Sequence, residues 1–178
     1  MVALADHLGT DAALANRPTS WYVAVVPTIT PCLWFDGNGL EAAEFYVSLF
    51  PDSHVDGAAP GPDGAPMMIS FTLMGRPFQA LNGGPRFVFT EAVSMVVPCD
   101  TQAEVDHYWA ALTDGGEESM CGWLKDRFGL SWQVVPSQLG AILGDPDPER
   151  AARATRAMLQ MRKLDVEALR AAADGATA

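Results

Sequence analysis

The pattern that most restricts how this chain can fold is written twice. Thr30-Pro-Cys-Leu-Trp-Phe-Asp36 and Ser94-Met-Val-Val-Pro-Cys-Asp100 are both β-type runs that end in an aspartate and lead into a helix, and their starts lie about 64 residues apart. The helices align as Glu44-Phe-Tyr-Val-Ser-Leu49 on His107-Tyr-Trp-Ala-Ala-Leu112. Each is followed by a Gly/Pro break and further strands, and the last strands align as Phe78-Gln79-Ala-Leu81 on Trp132-Gln133-Val-Val135. Three matched features in one order describe a βαβββ unit present twice. One such unit leaves a face of its sheet uncovered, so two are expected to complete a single curved cleft. The expected class is therefore α+β: paired βαβββ modules forming a curved mixed sheet, plus a C-terminal helical tail.

Local signals fill in the elements. Ile29 to Phe35 reads as the first strand, with Pro31 at a sheet edge or bulge. Asn38 and Glu41 have capping-box spacing ahead of a helix over 39–50, whose stripe is Leu40, Ala43, Val47 and Phe50, with Tyr46 beside it. A short strand over 53–56 and a mobile loop over 57–66 are expected next, because that loop is almost all Gly, Pro, Ala and Asp. Met67 to Met74 alternates, Gly75-Arg76 turns, and Asn82-Gly-Gly-Pro85 stops the returning strand. In the second unit, Ala92 to Cys99 is the strand, Thr101 and Glu104 form a capping box, and Val105, Tyr108, Trp109 and Leu112 make the buried stripe. Short strands over 117–121 and 131–136 complete it. Asp147-Pro148 opens a tail helix, and Asp165 caps another carrying Val166 and Leu169. The modules then span about 28–90 and 91–140, with the tail over 147–174, in one domain over 28–174. Residues 1–27 read in two ways: an extension that packs on the domain, or upstream sequence from an early start codon.

Charge and cysteine usage narrow the partners. With 22 acidic against 11 basic residues the formal net charge is −11, which repels phosphate backbones and anionic lipid, so neither nucleic acid nor a membrane is an expected partner. Cys32, Cys99 and Cys121 are odd in number and widely spaced, which suits reduced thiols in the cytoplasm rather than a disulfide framework or a zinc site. No stretch approaches the roughly 20 apolar residues of a membrane span, and the N-terminus lacks the basic and apolar regions of a signal peptide.

Several separate motifs resemble one family. Ile29-Thr-Pro-Cys-Leu-Trp-Phe-Asp-Gly37, Glu44-Phe-Tyr46, Leu81-Asn-Gly-Gly-Pro85 and Thr101-Gln-Ala-Glu-Val-Asp106 are similar to the PhnB-like branch of the vicinal-oxygen-chelate superfamily (glyoxalase, bleomycin-resistance and dioxygenase proteins). So are Cys121-Gly-Trp-Leu-Lys-Asp126, Ser131-Trp-Gln-Val-Val-Pro136 and Ala157-Met-Leu-Gln-Met161. The branch often carries the label 3-demethylubiquinone-9 3-methyltransferase. The resemblance covers about residues 28–174 and implies the paired βαβββ fold, commonly as a homodimer. The label itself finds little support in the residues. A methyl donor such as S-adenosylmethionine is usually held by a Gly-rich turn between strand and helix of a parallel α/β sheet. Asp36-Gly-Asn-Gly39 is the sole candidate, its counterpart Thr101-Gln-Ala-Glu104 has no glycine, and the order of elements is not alternating.

The resemblance also implies where a metal would sit. Enzymes of the superfamily hold a divalent ion with His and Glu on the first and last strand of each module. The corresponding positions here are Thr30, Gln79, Ser94 and Gln133, two hydroxyls and two amides with no charge to offset dehydration of the ion. His7 lies in the extension, His54 on an edge strand and His107 on a helix, with no shared ligand spacing. Neither a metal nor another cofactor is expected. The same four groups, with Trp34, Phe78, Met74 and Trp132, would instead make an apolar cleft with a few hydrogen-bonding groups, the usual make-up of a small-molecule site; alternatively they satisfy one another. Cys121 and Lys125 form a second set, a thiol near a cation. In an extended strand they lie about 13 Å apart, so a small buried thiol and a solvated Lys125-Asp126 turn are the simpler reading. Asn82, with Gly83 and Gly84, makes a turn or offers donors near the cleft mouth. Binding of a small, partly apolar molecule, with or without its conversion, is the function expected. A metal-dependent isomerase, lyase or dioxygenase is the alternative.

Overall fold

The structure is a computed structural model that describes residues 29–176, so the extension over 1–27 and His7 lie outside the described residues. Two units of the same build follow one another. In the first, β1 (Cys32–Phe35) leads to α1 (Gly39–Leu49), then β2 (His54–Pro60), β3 (Pro66–Leu73) and β4 (Arg76–Asn82). In the second, β5 (Ser94–Cys99) leads to α2 (Gln102–Thr113), β6 (Glu117–Glu118), β7 (Trp123–Lys125) and β8 (Ser131–Pro136). Each unit forms a four-stranded mixed sheet, in the orders β1-β4-β3-β2 and β5-β8-β7-β6. First and last strands pair in parallel, with Cys32 opposite Gln79 and Val96 opposite Gln133, and the others are antiparallel. The expected α+β class of paired βαβββ modules is thus observed, as two sheets rather than one continuous one.

Both helices lie on the buried side of their own sheet, and the two buried sides share one core. Ile69, Phe71 and Ala80 pack under Ala42, Ala43 and Tyr46, while Val97, Trp132 and Val134 pack under Val105, Trp109 and Leu112. Aromatic rings join the halves. Phe50, just after α1, stacks on Tyr108 at 5.0 Å and on Trp132 at 5.6 Å, and Tyr46 meets Trp132 at 5.3 Å. The carboxylate of Asp126 sits at this junction, 3% exposed. It accepts from Tyr46 Oη (2.7 Å), Trp132 Nε1 (2.7 Å), Phe128 N (2.8 Å) and Leu130 N (3.0 Å). Burial raises its pKa above the ordinary carboxylate value, and these four donors only partly offset that. The solvated Lys125-Asp126 turn is therefore corrected: Asp126 is the polar centre of the core, because two backbone N–H groups and two aromatic donors converge on it.

Several local expectations change. The first strand begins at Cys32 rather than Ile29. β2 runs on to Pro60, and β3 begins at Pro66, because the small side chains of Gly57, Ala58 and Ala59 pair with Ser70, Ile69 and Met68. The expected loop shrinks to a turn closed by Gly61 N donating to Ala65 O (2.7 Å). Asn38 makes no side-chain cap on α1. The Thr101–Glu104 capping box on α2 is present in both directions.

The tail adds α3 (Leu139–Leu143), which no sequence signal announced, then α4 (Pro148–Met158) and α5 (Val166–Ala173). Asp147 caps α4 and Asp165 caps α5 through side-chain acceptors. The tail is fastened to the second unit by backbone bonds, Cys121 N to Met161 O and Gly122 N to Arg162 O (both 2.7 Å). Gln102 adds two more, donating to Leu164 O (3.1 Å) and accepting from Val166 N (3.0 Å). Gly122 has φ +84°, and a Cβ there would stand 2.7 Å from Val134 O. No helix among the described residues is long and apolar enough to cross a membrane.

Candidate functional site

Strand alternation sorts the candidate residues onto two sides of each sheet. In β8, Trp132, Val134 and Pro136 are buried against the helices, so Gln133 and Val135 point to the other, open side. The same logic in β4 puts Ala80 inside and Gln79 and Leu81 on the open side. Register then gathers the neighbours. Gln79 lies between Cys32 and Ser70 on the open side of the first sheet. Two cross-strand rows mark the second: Glu117, Lys125, Ser131 and Ser94 in one, Trp123, Gln133 and Val96 in the next.

Of the four positions where the resemblance implies metal ligands, Ser94 and Gln133 are brought together. Gln133 Nε2 donates to Ser94 Oγ at 2.8 Å. Thr30 is half-buried just ahead of β1, and Gln79 N donates to Pro31 O (2.9 Å), which holds the first strand to the last. Two amides and two hydroxyls carry no negative charge, so this donor set does not fit a divalent ion. His54 is exposed and pairs with Asp56 at 3.0 Å, and His107 is exposed on α2. Among the described residues no three His, Cys, Asp or Glu side chains are grouped to hold a metal.

Other candidates are placed elsewhere. Trp132 is 3% exposed and faces the core, so it does not line the open side with Gln133; adjacent strand residues point apart. Phe78 stacks on Phe71 at 5.5 Å on the helix side, and Met74 sits in the β3–β4 turn with φ +48°. Trp34 is on the open side of β1, its Nε1 donating to Gly84 O (2.8 Å) and its ring 5.0 Å from Phe87. Cys121 lies in a turn at φ +59° with Sγ 3.6 Å from Met158 O, so it clasps the tail and does not share the face of Lys125. Lys125 Nζ pairs instead with Glu91 at 2.7 Å.

Asn82 has a structural task. Its Oδ1 accepts from Gly39 N (2.8 Å) at the start of α1, and its Nδ2 donates to Pro66 O (2.8 Å). The cap that Asn38 was expected to supply comes from 43 residues away. A Cβ at Gly39 would stand 2.7 Å from this oxygen. Asn82→Ala is accordingly expected to cost about 1 kcal/mol of stability and Asn38→Ala only a few tenths, a contrast that paired urea titrations resolve.

Two pockets flank Lys125. One, of about 310 Å3, lies on the open side of the second sheet and is lined by Glu91, Glu117, Trp123, Lys125 and Ser131 among others. The other, of about 290 Å3, lies where the two units meet and includes Trp34, Phe87, Phe89, Lys125 and Phe128. Ser131 and Trp123 were legible by period two from Gln133 and Lys125. Glu91 was not, since it belongs to the connection between modules and carries no periodic signal.

The model of the family described as 3-demethylubiquinone-9 3-methyltransferase matches residues 27–135. A solved structure of the PhnB protein from Bacillus cereus aligns at 31% identity and a TM-score of 0.58, over 62% of this chain and 100% of its own. Protein PA1353 from Pseudomonas aeruginosa aligns at 24% identity and a TM-score of 0.51, over 62% and 98%, a likeness of fold alone. The fosfomycin resistance protein FosX from Listeria monocytogenes, in a structure with Mn(II), aligns at 13% identity and a TM-score of 0.45, over 61% and 90%, too remote to bear on this site. No curated protein matches the chain.

Proposed function

The chain belongs to the family described as 3-demethylubiquinone-9 3-methyltransferase, the PhnB-like branch of the vicinal-oxygen-chelate superfamily, and we propose that it binds a small, partly apolar molecule on the open sides of its sheets without a catalytic metal. The observation that carries this reading is the donor set: Gln79, Gln133, Ser94 and Thr30 offer neutral hydrogen bonds where relatives that hold metals need anionic or imidazole groups. Gln133 and Ser94 bond each other, and a ligand would exchange that bond for its own. Methyl transfer is not part of the proposal. The strand order within each unit is not the alternating βα arrangement that presents a Gly-rich turn to a methyl donor.

The reading includes a homodimer in the cytoplasm. Each sheet has helices on only one side, and among the described residues no strand of one sheet packs extensively along a strand of the other. The open sides carry exposed apolar groups, Val96 at 57% and, nearby in the connection, Val93 at 63%. A second copy supplies the cover that the chain does not give itself. The three cysteines are all free thiols, in keeping with a reducing compartment.

A thermal-shift screen of metabolites and antibiotics tests the site. A confirmed ligand is expected to lose at least tenfold in affinity in Gln133→Ala and Gln79→Ala, while the unliganded melting temperature stays within about 3 °C, because both side chains are half-exposed. Unchanged affinity in both variants would move the ligand off this face. Sedimentation at micromolar concentration tests the assembly: a monomer alone contradicts it.

A further inference from the structure

The pocket on the open side of the second sheet has an ionic character that narrows what it can take. Lys125 lines it together with Glu91, whose carboxylate is 2.7 Å from Lys125 Nζ, and Glu117, its cross-strand neighbour between β6 and β7. Ser131, next to Lys125 across β7 and β8, borders the pocket; it is fully buried, and its Oγ has no hydrogen-bond partner among the described residues. A buried hydroxyl without a partner is costly, and a water or a ligand group that reaches it relieves that cost. Trp123 supplies a half-buried ring in the next row. Beyond Lys125 lies the aromatic pocket of Trp34, Phe87 and Phe128.

We infer that this pocket takes a small zwitterion of the α-amino-acid class, whose carboxylate is held by Lys125 and Ser131, whose ammonium is held by Glu91 and Glu117, and whose apolar side chain lies toward the aromatic pocket beyond Lys125. The charge pattern selects the class. A simple anion would have to displace Glu91 from Lys125 and then sit between two glutamates. A simple cation would have to sit against the lysine ammonium. A zwitterion enters the Lys125–Glu91 pair and replaces one ion pair by two, with each charge facing its opposite. Ser131 then donates to the ligand carboxylate, which removes the unmet group. The volume of about 310 Å3 accommodates a molecule of this size. This inference rests on the open-side binding proposed above and assigns that site's ligand chemistry.

Isothermal titration of the full chain with matched probes tests it. L-Phenylalanine is compared with 3-phenylpropanoate, which lacks the ammonium, and with 2-phenylethylamine, which lacks the carboxylate. L-Leucine is compared in the same way with 4-methylpentanoate and 3-methylbutylamine. At least one amino acid is expected to bind, with each of its single-charge analogues at least tenfold weaker. Lys125→Met is expected to weaken that amino acid at least tenfold and Ser131→Ala about fivefold, with the circular dichroism of both variants unchanged. Equal or tighter binding of a single-charge analogue overturns the inference, as does binding of neither amino acid or indifference to both substitutions. A different molecule that binds and depends on Gln133 would leave the open-side reading standing while this one fell.

Discussion

Asp126→Ala is expected to lower the stability of the chain by about 4 kcal/mol, the range for leaving several buried donors without their shared acceptor. The melting temperature should fall by roughly 10 °C for a domain of this size. The effect is large because the substitution strands four donors at once: the Tyr46 hydroxyl, the Trp132 indole and the backbone N–H groups of Phe128 and Leu130. Three of these belong to the second unit and one to α1 of the first, so the loss also loosens the junction. Tyr46→Phe removes a single donor and should cost only about 1 kcal/mol. Asp126→Asn separates charge from shape. Burial holds the folded-state pKa of Asp126 above the unfolded value. Its stabilising contribution is then fully present below about pH 4 and is lost as pH rises through the folded value. The deficit of Asp126→Asn relative to the parent should therefore be largest near about pH 4 and shrink toward about pH 7. A deficit that grows with pH would show that the four donors outweigh burial.

Trp132→Ala is expected to cost a further amount of the same size, about 4 kcal/mol, typical for truncating a buried tryptophan. The indole is 3% exposed between Phe50 and Tyr46, and its loss opens a cavity between the two units besides removing a donor to Asp126. Trp132→Phe keeps most of the packing and should cost about 1–2 kcal/mol. These two variants also separate core from site. If Trp132 lined the ligand face, Trp132→Phe would change ligand affinity more than stability. Its placement beside Asp126 predicts the reverse, measured by chemical denaturation alongside titration of a confirmed ligand.

Trp132 shows where sequence reading succeeds and where it stops. The repeat was legible because it is carried by backbone-scale signals: strand alternation, the Thr101 cap, and a Gly or Pro break after each helix. Those fix which elements exist and which strand residues share a face. Gln79 and Gln133 therefore fall on open sides, as their spacing requires. Trp132 was misplaced because its aromatic bulk suggested a cleft wall, whereas its neighbour relation to Gln133 already demanded the opposite side of the sheet. The Asn82 cap was illegible for a different reason. A side chain that caps a helix 43 residues upstream leaves no local pattern, and Asn38 at the expected position offered a decoy. Asp126 followed a lysine in a turn-like string, where solvation is the ordinary outcome; only the convergence of α1 and β8 makes it a core residue. Glu91 reaches Lys125 from a connection whose path no periodicity predicts.

The proposed function depends on neutral groups standing at the positions where the family resemblance implies metal ligands. Gln79 and Gln133 occupy the last strand of each unit, and Gln133 already uses its amide on Ser94. Elemental analysis of the purified full chain, expressed in metal-replete medium and dialysed without chelator, tests that most directly. The account predicts less than about 0.1 equivalent of zinc, nickel, manganese or iron per chain, since uncharged amide and hydroxyl donors do not offset dehydration of these ions. One equivalent of any of them, lost in Gln79→Ala and Gln133→Ala, would contradict it.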